Sequence, residues 1–273
     1  MSTTTDRKKN RVTIKDVASA AGVSIATVSY VLNNTQGQSI SEDTRKKVLQ
    51  FANLLGYECN IMARYLATGK TNTVSLVIKD MDGLGALYYF KLITELSRLL
   101  YRKNFTLRLA DYSDEIAKNG DTCDAYITVA LSEKEFRDFA DTKYNPVIAI
   151  DSVFDDFLFY RINDNYAEMC KKAKSELNCN SVKLLTFPLP AECEALAEQA
   201  FDGVFTVKSL SDLSGLDKSC GYATTCKAIC DCVGCAVYLE SASFALKASA
   251  AVDAAIKAIN RIQSSSEEHD IRV

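Results

Sequence analysis

At 273 residues the chain can hold a small domain and a two-lobed larger one, and 48% apolar with 25% charged residues marks a globular chain rather than a disordered or membrane-spanning one. The net charge of −3 hides an asymmetry: residues 1–70 hold ten Lys/Arg against five Asp/Glu, and the remainder holds 22 against 30. A basic head on an acidic body suits a protein whose head touches phosphate.

Residues 1–11 read as a disordered basic lead-in (DRKKNR), with no apolar run after Met1. The absence of an apolar leader and of any span-length apolar stretch points to the cytoplasm. From Val12 to Asn34 the chain reads VTIKDVASAAGVSIATVSYVLNN. Thr13 with Asp16 forms a Thr-x-x-Asp capping box, and Val17, Ala18, Ala20 and Ala21 supply the apolar face of a first helix. Gly22 stops it by tolerating positive φ. Ser24 caps a second helix from Ile25 to Leu32, with Val28, Val31 and Leu32 turned inward. Two short helices on a Gly-containing turn make a helix-turn-helix, a motif that lays the first residues of its second helix against base edges in the major groove. After a polar loop, Ser41 caps a third helix that carries Glu42 and Asp43 in its first turn and Val48, Phe51, Ala52 and Leu55 at helical spacing. Gly56 ends it. Three helices over about 45 residues bury little surface, so this domain should be marginally stable alone.

The TIKDVA, AGVS and TVSYVLN pieces, in that order and spacing, resemble the DNA-binding headpiece of the lactose-repressor/purine-repressor (LacI-type) family. The resemblance is specific from Val12 to Gly69 and loosens beyond. It implies base contacts from Ile25, Ala26 and Tyr30. It implies phosphate contacts from Thr13, Ser24, Thr27, Ser29, Asn33, Thr44, Tyr57 and Asn60. Ile25 and Ala26 cannot hydrogen-bond a base in bidentate fashion, so apolar contact with thymine methyls is expected to carry much of the readout. Residues 59–70 fall where the family places a hinge helix that folds over the operator's minor groove. There Asn60 would cap, Ala63 would allow close approach, Arg64 would enter the groove and Leu66 would wedge a base step. Cys59 departs from the family's usual proline, leaving the hinge entry less pre-set.

From Thr73 the pattern becomes VSLVI, a helix from Leu87 to Lys103 with Phe90, Ile93, Leu96, Leu99 and Leu100 on one side, FTLRLA, AYITVAL, a helix near Glu133 to Ala140, and PVIAID. Alternating strands and helices indicate βαβ units and a doubly wound parallel sheet. A second lobe would begin near Asp164, with a helix from Tyr166 to Leu177, VKLLTF, a helix around Ala191 to Phe201, VFTV, a helix near Cys226, CAVYL and an Ala-rich helix from Phe244 to Ile262. PVIAID and RINDNYAE resemble the end of the family's first lobe and its crossing into the second. The expected architecture is therefore an all-α helix-turn-helix headpiece (12–58), a hinge (59–70) and an α/β core (71–273) of two doubly wound parallel-sheet lobes, periplasmic-binding-protein-like. Lobe 1 is expected at about 71–162 and a shortened lobe 2 at about 163–265.

In such sheets ligands bind at strand C-terminal ends, which singles out Asp80, Arg161 and Asp164 as effector candidates, although loop capping explains such aspartates equally well. Ten cysteines without a secretion signal should be reduced thiols. Cys226, Cys230, Cys232 and Cys235 have a spacing that could hold zinc or respond to redox, but paired knuckles are missing and free cysteine is a common core residue. The only histidine is His269, and there is neither a P-loop nor a G-x-G-x-x-G, so enzyme readings find little support and no cofactor is expected.

The sequence thus reads as a homodimeric transcriptional regulator, a repressor of carbohydrate or related metabolic genes. Its expected partners are a near-palindromic double-stranded operator and a small-molecule effector such as a sugar or nucleoside, with no membrane. The alternatives are a DNA-binding regulator whose core only dimerises or senses redox or metal through cysteines, and a small-molecule binder with a vestigial headpiece.

Overall fold

A computed structural model describes residues 12–33, 37–57, 69–79, 84–116, 121, 123–217, 219–234, 236–239, 244–263 and 265–273. The chain divides into two units, Met1–Thr68 and Gly69–Val273.

The first unit contains helices α1 (Ile14–Ala21), α2 (Ile25–Leu32) and α3 (Glu42–Leu54). Its buried apolar residues are Val17, Ala18, Ala21, Val28, Val31, Val48 and Ala52, with Ile14, Leu32, Phe51 and Tyr57 packed partly against them. Gly22 adopts φ +64, the left-handed cap that lets α1 turn into α2. Two expected core residues lie outside: Ala20 is exposed, and so is Leu55. Ala20 falls off the stripe of Val17, Ala18 and Ala21, and Leu55 is the C-cap, beyond the last turn of α3.

The second unit is built on two parallel sheets. The first has the strand order β10-β5-β4-β3-β1-β2. It comprises β1 (Thr73–Ile78), β2 (Thr106–Asp111), β3 (Ala125–Val129), β4 (Val147–Ile150), β5 (Tyr160–Asn163) and β10 (Asp270–Arg272). The second sheet, ordered β7-β6-β8-β9, holds β6 (Val182–Thr186), β7 (Val204–Thr206), β8 (Gly221–Thr224) and β9 (Ala236–Tyr238). Every pairing is parallel, and most crossovers run through helices, as in βαβ units; β4 and β5 are joined by the loop 151–159, and β7 and β8 by a 3-10 segment, Leu210–Gly215. Those helices are α4 (Leu84–Arg102), α5 (Tyr112–Ile116), α6 (Glu133–Ala140), α7 (Tyr166–Leu177), α8 (Ala191–Ala200), α9 (Lys227–Cys232) and α10 (Phe244–Ile259).

Several expectations need correction. The second lobe does not run to about residue 265, because α10 packs on α4, β3, β4 and β5 and the chain then adds β10 beside β5. The Ala-rich helix therefore belongs to the first sheet, and the chain crosses back to that sheet at its end. Its small side chains suit this place: Ala248, Ala251, Ala254 and Ala255 are all buried, so the helix lies close on the sheet. Strands β8 and β10 had no alternating signal long enough to reveal them. On α4 the buried stripe is Tyr89, Leu92, Leu96 and Leu100, while Phe90 is 64% exposed, one residue and about 100° off that stripe.

The start of the core is held by a clamp the sequence did not suggest. The Asp124 carboxylate accepts from the Thr71 backbone N–H (2.7 Å), the Thr71 hydroxyl (2.9 Å) and the Asn72 N–H (2.7 Å). Lys70 Nζ donates to Asn260 Oδ1 at 3.0 Å, just past the end of α10.

Candidate nucleic-acid interface

In the headpiece the Asp16 carboxylate accepts from the Thr13 backbone N–H at 2.8 Å and the Thr13 hydroxyl at 2.7 Å, bonds that hold its pKa below the usual carboxylate value. Ser24 Oγ accepts the Thr27 N–H at 3.0 Å and lies 2.9 Å from the Thr27 hydroxyl. Ser41 does the same for Thr44, at 3.2 and 2.9 Å. Asn33 donates its side-chain amide to Ser29 Oγ at 3.2 Å.

With Val28 and Val31 buried, α2 must present the opposite face to solvent. That face carries Ile25 (45% exposed), Ala26, Tyr30 (37% exposed) and Asn33. Three of these are the residues singled out for base contact, and they lie together at and one turn beyond the helix start. The first turns of α1 and α3 contain acidic residues, Asp16 and Glu42 with Asp43, whereas that of α2 contains none. The positive end of the α2 dipole is thus left unneutralised by its own side chains, a favourable arrangement for a phosphate. Asn60, Ala63, Arg64 and Leu66 lie outside the described residues.

Because Ser24 satisfies an otherwise orphaned N–H, Ser24→Ala should destabilise the headpiece by about 1 kcal/mol. Helix melting followed by far-ultraviolet circular dichroism checks this, and an unchanged headpiece transition would deny Ser24 its capping role.

The effector candidates are not brought together as a set. Asp80 lies outside the described residues. Arg161 turns to the loop after β4, donating to the Phe154 carbonyl with its guanidinium over the Phe154 ring. Asp164 is buried immediately after β5, facing Asp151, which immediately follows β4. Between them sits Lys247 of α10, its Nζ 2.6 Å from Asp151 Oδ1 and 2.7 Å from Asp164 Oδ2, with all three side chains at most 4% exposed. Burial, reinforced by the neighbouring Asp151, pushes Asp164 up to about 6 against the opposing pull of Lys247. Burial likewise raises Tyr166 and Cys193, which sit in the field of the same three charges. Sequence reasoning missed Lys247, yet a signal was present: it falls on the apolar stripe of Phe244, Ala248, Ala251 and Ala255, where a charge is out of place.

The raised pKa has a sign. A carboxyl that ionises near pH 6 when folded and 3.8 when unfolded contributes stability below about pH 4 and loses it as pH rises through 6. Lowered carboxylates such as Glu135 and Asp202 act in the opposite sense. The difference between the chain and its Asp164→Asn variant isolates the effect. The variant should gain relative stability from pH 5 to pH 7.5 in urea melts, and a constant difference would contradict the assignment.

Among the described residues no group of three or more His, Cys, Asp and Glu side chains could hold a metal ion. Cys226 precedes α9, Cys230 donates to the Ala236 carbonyl at 3.5 Å, Cys232 is exposed, and Cys235 lies outside the described residues. Burial raises the Cys230 thiol, the opposite of what a reactive thiolate needs.

Residues 13–60 match the family described as bacterial regulatory proteins, lacI family. The chain is 52% identical over 69 residues to the HTH-type transcriptional regulator RegA of Clostridium saccharobutylicum, covering 25% of this chain and 20% of that one. It is 40% identical over 104 residues to catabolite control protein A of Streptococcus mutans serotype c, covering 38% and 30%. These alignments thus span between a fifth and a third of the relatives' length. Among solved structures, the lac repressor dimer bound to operator and the anti-inducer ONPF superposes with a TM-score of 0.62 at 14% identity, over 97% of this chain and 96% of that one. No described helix is long and apolar enough to cross a membrane. Residues 13–60 are accordingly a helix-turn-helix headpiece of the lacI family of bacterial regulatory proteins, and the chain has the fold of the lac repressor, with a parallel-sheet α/β core.

Proposed function

We propose that this protein is a sequence-specific DNA-binding transcriptional regulator, a repressor of carbohydrate or related metabolic genes, acting in the cytoplasm as a homodimer. Two headpieces would place their α2 helices in successive major grooves of a near-palindromic operator. Ile25, Ala26 and Tyr30 read bases there, chiefly by apolar contact, while Thr13, Ser24, Thr27, Ser29, Asn33, Thr44, Tyr57 and Asn60 hold phosphates and set register. Ala63, Arg64 and Leu66 engage the minor groove through the hinge. A small-molecule effector binding the core where strands end, near Asp164, shifts the population of DNA-competent hinges.

The observation that carries this reading is the exposed Ile25–Ala26–Tyr30 face of α2, set on a capped helix whose first turn holds no acid. Similarity to regulators whose headpieces align with this one supports it. The test is selection of bound sites from random duplexes, repeated with Ile25 and Ala26 replaced by other residues. The selected sequence should change while the fold stays intact. An unchanged preference would remove these two residues from base reading.

A further inference from the structure

The Lys247 cluster is built unlike a stabilising feature. A buried ion pair seldom stabilises more than well-packed apolar residues of equal volume, yet here three charges are buried together. Two carboxylates face one ammonium, so the cluster keeps an excess of one negative charge when both aspartates are ionised. Three acceptor oxygens at the same strand ends, Asp151 Oδ2, Asp164 Oδ1 and Asn163 Oδ1, are buried with no hydrogen-bond partner among the described residues. Such oxygens cost free energy unless something donates to them. The site sits where parallel sheets receive ligands, at the ends of the adjacent strands β4 and β5. Tyr166 of α7 and Cys193 of α8, both from the second lobe, lie within electrostatic reach of the same three charges, so the cluster also neighbours the second lobe. The unsatisfied atoms of Asp151, Asn163 and Asp164 are all acceptors, and with both aspartates ionised the three-charge cluster carries an excess negative charge. A neutral sugar hydroxyl could donate to one oxygen but would leave the charge; a primary ammonium supplies three donors and neutralises it.

We propose that Asp151 and Asp164 form a primary-ammonium site, filled by the chain's own Lys247, and that the effector class this core recognises is a small organic amine rather than a neutral sugar. The proposal rests on the reading of the strand ends as the effector site; it is independent of how α2 reads DNA. Lys247 is a tethered occupant, held by α10 with its alkyl stem among apolar neighbours and its ammonium between the carboxylates. A free amine entering the site meets the same two groups, together with the acceptors that Lys247 leaves unused.

The experiment uses the full-length chain. Lys247→Ala removes three methylenes and the ammonium, a void shaped like n-propylammonium. Its melting temperature should lie below that of the parent chain and recover by about 5 °C in tens of millimolar n-propylammonium chloride. Equimolar 1-propanol or sodium chloride should give no such recovery, and Lys247→Ala/Asp151→Asn should not respond. Equal recovery in propylammonium and propanol would show a mere cavity and overturn the site. The unmutated chain supplies a second reading that does not depend on the variant folding. Its melting temperature should respond to a panel of primary amines and diamines at constant ionic strength. A shift with sugars and none with any amine would overturn the effector class. Either failure leaves the operator-selection result untouched, so the two readings fail separately.

Discussion

Replacing Lys247 by methionine is expected to destabilise the core by about 3–5 kcal/mol near neutral pH, the usual cost of removing one partner from a buried ionic cluster. Methionine fills much of the space of lysine, so little of this cost is cavity. Almost all of it is electrostatic: Asp151 and Asp164, each within 2.7 Å of the ammonium in the intact chain, would face each other uncompensated. The cost should therefore depend on pH in a definite direction. Without the ammonium, Asp164 loses the one pull that opposes its burial and ionises still less readily in the folded state. The folded state then binds more protons, and stability is kept at low pH and lost as pH rises. Urea melts at pH 5 and pH 8 should show a much smaller penalty at the lower value. Equal penalties would mean that Lys247 acts through packing alone.

Val48→Asp is expected to unfold the headpiece and weaken specific operator binding by roughly a hundredfold or more, because an unpaired carboxylate cannot be buried in a core this small. Val48 is fully buried against residues as small as Ala18, Ala21 and Ala52, so no neighbour can move aside to hydrate the charge. The melt of residues 69–273 should persist, since its buried residues are a separate set. Non-specific attraction should fall less than specific binding, because an unfolded basic segment still attracts phosphate. Gel shifts with operator and scrambled duplex, beside a calorimetric scan, check all three outcomes. A folded headpiece that still discriminates its operator would contradict the proposed packing.

The headpiece was legible because its information is local. A capping residue, a left-handed glycine and a three-to-four spacing specify each helix within about eight residues, and the structure places Thr13, Gly22, Ser24 and Ser41 in those roles. Expected strands such as VSLVI and VKLLTF are present because buried parallel strands read as continuous apolar runs. What escaped was long-range. Nothing within β10 tells that Asp270–Arg272 returns to pair with Arg161–Asn163, about a hundred residues earlier. Nothing beside Asp124 in the chain tells that its carboxylate anchors the first residues of the core, some fifty positions earlier. Asp164 was chosen for its position at a strand end, but the partner that defines its chemistry, Lys247, lies 83 residues away on a helix assigned to the wrong lobe. Arg161 was chosen on the same positional ground, and it serves the Phe154 loop instead.

The central claim is that α2 enters a DNA groove and reads bases with Ile25, Ala26 and Tyr30. Its most direct test is the affinity of the full-length chain for its selected duplex and for a scrambled duplex, measured at low and near-physiological salt. The account predicts that the selected site is held at least about a thousandfold more tightly at the higher salt, and that this ratio collapses when Ile25 and Ala26 are replaced. Equal affinity for the two duplexes at both salt concentrations would contradict it.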